Sequence, residues 1–340
     1  MKSFFILSIL AVVGSCAETK YSTKIENLNN SVIVTDSTLI VKYSKTITEK
    51  ELEQNLYKFS SKAFQGRGIS TPGQKKASHF LKDFYIQNNI DVSFQTVPAN
   101  FLPEKITTDS ENVIAFIKGE EKPDEVIIVS GHLDHLGIEN EEIYFGADDN
   151  GSGSMAILEI AQAFKMAEND GYRPKRSILF LHLTAEEIGL QGSLYYTQNP
   201  KFELSKTIAN LNIDMIGRVD KHHNNNPNYI YVIGADRISK ELNFINEKTN
   251  NAFTNLELDY KYNAENDRNR YYFRSDHYNF AKHNIPVIFY FNGTHDDYHK
   301  PTDTPEKINY PLLAKRSKLI FATAWQLANR DKMLLHNTAL

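Results

Sequence analysis

The chain has a single cysteine among its 340 residues, Cys16, and that one sits close to the N-terminus. The remainder can form no internal disulfide and offers no thiolate, so any metal must rest on His, Asp and Glu. Positive charge is not in excess either: 38 Lys and Arg against 42 Asp and Glu leave a net charge of −4. Without a basic face there is no electrostatic footprint for nucleic acid. No stretch is rich enough in Pro, Gly or Ser to act as a linker splitting the body in two, and no internal repeat is visible. What is present is 41% apolar and 11% aromatic residues, mostly Tyr and Phe. That composition belongs to a folded globular chain rather than a disordered one.

The N-terminus reads differently. Met1 and Lys2 give a positive start, Phe4 to Val13 an apolar run too short to span a bilayer, and Gly14-Ser15-Cys16 a small-residue close. Val13-Gly14-Ser15-Cys16 resembles a bacterial lipobox, in which the cysteine is lipidated. Residues 1–16 are therefore expected to be an export signal. The product would be a cell-envelope lipoprotein anchored through Cys16, or a periplasmic or secreted form. Membrane contact is expected only through that anchor. Residues 17–45, polar and with one β-like patch at Ser31 to Val34, read as a tether and edge element. The body spans 46–335.

Within the body, strand and helix patterns alternate. Thr48 opens a helix with Leu52, Leu56 and Phe59 at helical spacing, and Gln74 to Asn88 forms another. Strands are predicted over 92–97, 112–118, 125–129, 177–184, 208–213, 229–233, 256–262 and 286–291. Helices are predicted over 152–167, up to about 250, and 310–330. This alternation predicts a single α/β domain with a mixed, mainly parallel central sheet flanked by helices.

The chemistry gathers around Ser130 to Gly153. The β-branched run Glu125 to Val129 stops abruptly, and His132, Asp134, Asp148 and Asp149 follow before a helix of small residues begins. Two further strands end on acids, at Glu186-Glu187 and at Asp214, and a loop after the last strand carries His299 and Asp303. In open α/β sheets ligands collect beyond the carboxyl ends of strands. Two histidines and three carboxylates are the inventory for two divalent ions sharing one carboxylate, roughly 3.5–4 Å apart. Adjacent glutamates allow one to ligate while the other serves as general base.

The motifs resemble those of the M28 family of co-catalytic zinc peptidases. They are Gly131-His132-Leu133-Asp134, Ala147 to Gly153 (ADDNGSG), Ala185 to Ser193 (AEEIGLQGS), Asn212 to Arg218 (NIDMIGR), and Tyr298-His299 with Asp303-Thr304. Gln65-Gly66-Arg67 and Ser275-Asp276-His277 extend the likeness over residues 50 to 330. The resemblance implies a zinc-dependent exopeptidase fold. It implies two Zn2+, one on His132 and Asp214, the other on Glu187 and His299, bridged by Asp149. Cobalt and manganese accept the same ligands. Glu186 would be the general base, with a hydroxide between the metals as nucleophile. Asp134 would fix the tautomer of His132, and Asp303 that of His299; Arg218 and Tyr298 would line the substrate site. Asp148 rivals Asp149 for the bridging place, and His295 rivals His299. His135, His182 and His277 are left outside a complete ligand set, His182 as a core histidine.

The implied activity is that of an aminopeptidase acting on peptides with a free N-terminus. No protease-associated domain is expected, because only Pro98 to Glu111 separates the strands where one would be inserted. The alternatives are a glutaminyl cyclase-like acyltransferase on the same scaffold, a carboxypeptidase or dipeptidase, and a non-catalytic peptide-binding relative.

Overall fold

The computed structural model describes residues 20–340; the expected export signal and Cys16 lie outside the described residues. The strands are β1 (Asp91–Val97), β2 (Ser110–Ile117), β3 (Lys122–His132), β4 (Gly137–Glu139), β5 (Glu142–Tyr144), β6 (Arg176–Leu183), β7 (Thr207–Ile213), β8 (Tyr229–Ile233), β9 (Glu257–Asp259) and β10 (Val287–Phe291). The helices are α1 (Tyr21–Ser31), α2 (Ser37–Ser44), α3 (Glu49–Phe59), α4 (Pro72–Gln87), α5 (Gly153–Asn169), α6 (Gln191–Gln198), α7 (Lys240–Phe253), α8 (His277–Ala281) and α9 (Tyr310–Asn329).

Eight strands form one mixed sheet in the order β1-β2-β6-β3-β7-β10-β8-β9. Its centre is parallel: β3 pairs with β6 on one side and β7 on the other, and β7 pairs with β10. Strands β6 and β7 are buried along their whole length, as is β3 from Val126 onward. That is why apolar residues stand on both faces of these strands, with Ser130, His182, Asn210 and Asn212 buried among them. Because the chain leaves β3 for neighbours on opposite sides, a crevice opens at the carboxyl ends of these three strands. β4 and β5 form a separate small hairpin.

Helix starts follow their caps. Thr48, Thr71, Ser239 and Asn309 each accept a backbone N–H from the first turn of α3, α4, α7 and α9, worth about 1 kcal/mol apiece. Helices α5 and α9 pack together over one sheet face, with Phe164 against Phe321 (4.9 Å between ring centres) and Trp325 (5.7 Å). Between β1 and β2 runs only a short segment with one helical turn, Ala99–Phe101.

The N-terminal segment departs from the expected tether and edge element. Its described part folds as α1 and α2, and the β-like patch Ser31 to Val34 is the end of α1 and an extended link, with no strand. The cause is a pair of apolar residues hidden in polar sequence: Ile40 and Tyr43 are buried, and Tyr43 stacks on Trp325 of α9 at 5.9 Å. The Tyr43 hydroxyl also donates to Asp170 Oδ2 at 2.9 Å. The strand expected over 256–262 shortens to β9, and α6, α8 and the β4–β5 hairpin were not foreseen. Among the described residues no helix is long and apolar enough to cross a membrane.

Candidate active site

Three strand ends and two loops converge on one crevice. β3 ends at His132; β6 runs into Thr184 and turns at Ala185 to present Glu186 and Glu187; β7 is followed directly by Asp214. Ala185, Met215 and His299 all adopt left-handed backbone (φ 58°, 56° and 55°). Such conformations cost a non-glycine residue energy and persist where surrounding structure enforces them, as at functional sites.

His132 Nε2 lies 3.2 Å from Asp214 Oδ1 and 3.3 Å from Asp149 Oδ1. His299 Nε2 lies 3.2 Å from Asp149 Oδ2 and 3.2 Å from Glu187 Oε2. Asp149 thus gives one oxygen to each of two imidazoles, and each imidazole nitrogen faces two carboxylates. One N–H cannot satisfy two such acceptors fully. A tetrahedral zinc with ligand bonds of about 2.0–2.1 Å holds its donor atoms roughly 3.3 Å apart, which is the spacing observed here. Donor atoms of His132, Glu186 and Asp214 lie within 4.8 Å of one another, as do those of His132, Asp149 and Glu187. The residues present fit divalent metal, with Asp149 set between the two imidazoles and the Glu186 carboxylate beside His132 and Asp214.

The surrounding bonds decide which neighbour points where. Asp148 is turned away: its Oδ1 accepts from Gly217 N (2.7 Å) and Ser152 Oγ (2.9 Å), and its Oδ2 faces His295 Nε2 at 3.1 Å. The rivals Asp148 and His295 therefore occupy each other. Asp303 is not placed on His299; its Oδ2 accepts the backbone N–H groups of Asp148 (2.9 Å) and Asp149 (3.2 Å). It fixes the turn that carries Asp149, because the loop bearing it folds under that turn instead of toward the imidazole. Asp134 is also corrected in detail. Its carboxylate accepts from Glu186 N (3.2 Å) and Glu187 N (3.4 Å), while His132 Nδ1 meets the Asp134 main-chain oxygen at 3.2 Å. The carboxylate stays 3.9 Å from that imidazole.

Several further residues position the donors. Buried Arg67 donates to the carbonyls of Leu133 (2.9 Å), Phe145 (2.8 Å) and Gly146 (2.7 Å), tying both donor loops together. Asn150 bonds Ile213 O and accepts from Gly153 N and Met215 N, joining the Asp149 turn to the end of β7. A Cβ on Gly153 would stand 2.2 Å from Asn150 Oδ1, so glycine is required there. A ladder of side-chain bonds runs Asn210–Ser130–Asn212–Ser275 through the sheet and ends with Ser275 Oγ donating to Asp214 Oδ2 at 2.7 Å. Arg67, Asn150, Asn212 and Ser275 lie within the motifs quoted above, whereas Asn210 lies in none of them.

The protein's own charges polarise the site. Burial drives the Glu186 carboxyl well above its usual range, with Asp214 and Glu187 adding repulsion and His132 opposing. Burial would raise Asp149 too, but hydrogen bonds from His132 and His299 outweigh it and hold Asp149 well below the carboxylate range. His299 resists a downward pull from burial and is pushed up to about 10 by Asp149 and Glu187.

A small cleft opens over the donors. Met215, Tyr271, Phe289 and Phe291 give it an apolar wall, with Thr294, Tyr298 and Arg274 at its edge. Tyr298 lies in this lining and stacks on His299 at 3.9 Å. Arg218 does not: its Nη2 pairs with Asp297 Oδ2 at 2.8 Å, which draws it under the loop and away from the cleft. His182 is a core histidine bonded to the Tyr85 hydroxyl at 2.7 Å. His135 Nδ1 reaches Glu187 Oε1 at 2.8 Å and was not expected so near the donors.

A family model described as peptidase family M28 matches residues 112–324, the span that carries every donor. Aminopeptidase YwaD of Bacillus subtilis is 26% identical over 231 residues, covering 66% of this chain and 46% of that protein. A probable zinc metalloprotease of Pyricularia oryzae is 30% identical over 258 residues, covering 64% of this chain and 50% of that one. The chain spans between 14% and 57% of the length of the first curated relatives it matches. Among solved structures, the LapA aminopeptidase of Legionella pneumophila superposes with a TM-score of 0.72 at 23% identity, covering 88% of this chain and 77% of that one. Porphyromonas gingivalis glutaminyl cyclase gives 0.66 at 18% identity, covering 82% and 97%. At these identities the two structures speak for the fold.

Proposed function

The chain belongs to peptidase family M28, and on that premise we propose that it is a two-zinc aminopeptidase that removes N-terminal residues from peptides. The observation that carries this reading is Asp149, with one oxygen toward His132 and the other toward His299. In it, His132 and Asp214 hold one ion, Glu187 and His299 the other, and Asp149 is shared. When bound, the ions supply Lewis acidity to the peptide carbonyl and favour ionisation of water at neutral pH.

The chain's own residues do the rest. Glu186 accepts the proton of the attacking water and returns it to the amine that leaves as the C–N bond breaks. Asp134, bonded to the Glu186 and Glu187 amides, aims the two glutamates apart, one at the reaction and one at the metal. The apolar wall shields the reacting bond from bulk water. An exported protein, lipidated at Cys16 or released, would meet such peptides in the bacterial cell envelope; this part of the proposal rests on the sequence alone.

Product analysis tests the reading. Zinc-loaded enzyme and its Glu186→Gln variant are given matched peptides with free or acetylated N-termini. One N-terminal residue should be released from the free peptides only, and the variant should release almost none. Pyroglutamate from N-terminal Gln would assign the protein to cyclase chemistry, and cleavage of acetylated peptides to a carboxypeptidase mode.

A further inference from the structure

The arginines of this protein that lie under or beside the site are committed to partners. Arg67 and Arg316 hold backbone carbonyls, Arg218 pairs with Asp297, and Arg237 bonds the main chain of Asn263. Arg274 is different. It stands at the edge of the cleft, exposed, and among the described residues its guanidinium has no carboxylate or hydrogen-bond partner. Its guanidinium carbon lies 5.1 Å from the ring centre of Tyr271. A guanidinium resting on an aromatic ring is oriented without being neutralised, and its free edge keeps the paired donors that match a carboxylate.

On the aminopeptidase reading proposed above, the floor carboxylates Asp149, Glu187 and Asp214 are taken up as donors, and Arg274 is a cation at the rim of the same cleft with none of them as its partner. We infer that Arg274 is a specificity-determining residue that binds a carboxylate of the substrate while the scissile bond lies over the donors. That carboxylate belongs either to an acidic N-terminal side chain or to the C-terminus of a dipeptide or tripeptide.

Two substrate pairs separate these sources: Glu-Ala-amide against Gln-Ala-amide, and Leu-Ala against Leu-Ala-amide. The readout is the ratio of kcat/KM within each pair for wild type, Arg274→Ala and Arg274→Lys. In one pair the wild type should favour the carboxylate. Arg274→Ala should lower that ratio by about 10- to 100-fold, the range of a charged hydrogen-bonded contact. Arg274→Lys should retain part of it. The pair that responds identifies the source. Ratios unchanged in both pairs, with the neutral peptides still cleaved, would overturn the inference and leave the aminopeptidase reading standing. If wild type cleaves none of the four, the aminopeptidase reading fails instead. Calorimetric binding of glutamate and glutamine to the zinc-loaded protein then decides: a preference for glutamate lost in Arg274→Ala supports the inference, and equal affinities end it.

Discussion

The floor and the rim of the cleft are built on opposite plans. On the floor, Asp214, Glu187 and His132 come from the ends of three adjacent buried strands, and each is held by a specific partner: Ser275 Oγ on Asp214, the Asp134 carboxylate on the Glu187 amide, and the Asp134 main-chain oxygen on His132. At the rim, Tyr271, Arg274, Thr294 and Tyr298 come from loops, and Arg274 has no polar partner among the described residues. Preorganised groups keep donors in place without reorganisation when charge develops, whereas loosely held ones accommodate different ligands. Chemistry is thus assigned to the sheet and selection to the loops. Substitutions on the floor should abolish function, and those at the rim should redirect it.

The sharpest break is expected at Asp149→Asn. The amide removes the charge shared by both donor groups, so activity should fall to background and bound zinc to one ion or none, as read by elemental analysis. Retention of two ions would contradict the shared role of Asp149. Glu186→Gln should cost about 10²–10⁴-fold in kcat with zinc content unchanged, which separates a base from a ligand. Ser275→Ala removes the last rung of the ladder under Asp214. Loss of such an outer hydrogen bond typically weakens metal affinity by about 10- to 100-fold, measurable by competition with a chelator. An unaltered affinity would show that the ladder serves the fold alone.

How much of this was legible follows the same division. β3, β6 and β7 are legible as short, mostly apolar runs that give way to His132, Glu186-Glu187 and Asp214, so their strand-end donors were readable in order. The partners of those donors were not. Nothing in the spacing of His299 and Asp303 says that Asp303 folds beneath the Asp149 turn to receive two amides. Nor does Arg218, set four residues after Asp214, reveal that Asp297 holds it out of the cleft. Those are contacts between distant segments, fixed by packing. Helices α1 and α2 were hidden for another reason: two buried side chains, Ile40 and Tyr43, anchor α2 within a polar segment too weakly patterned to signal a helix.

His299 joins the two regions, because a rim loop delivers it to floor carboxylates while its side chain stays 37% exposed. In the metal-free protein Asp149 and Glu187 push its pKa up from 6.5 to about 10, against burial. A group with a raised folded pKa stabilises the fold in full below its unfolded value and loses that contribution as pH rises through the folded one. Chelated protein should therefore unfold at progressively lower temperature from pH 6.5 to 10, by a modest amount because solvent screens the pair. Zinc needs the neutral imidazole and displaces the proton, so its binding strengthens over the same interval. The gap in Tm between zinc-loaded and chelated protein should widen with pH, and His299→Ala should flatten the chelated slope. A chelated Tm with the same pH dependence in wild type and His299→Ala would detach His299 from the floor carboxylates and return it to the rim.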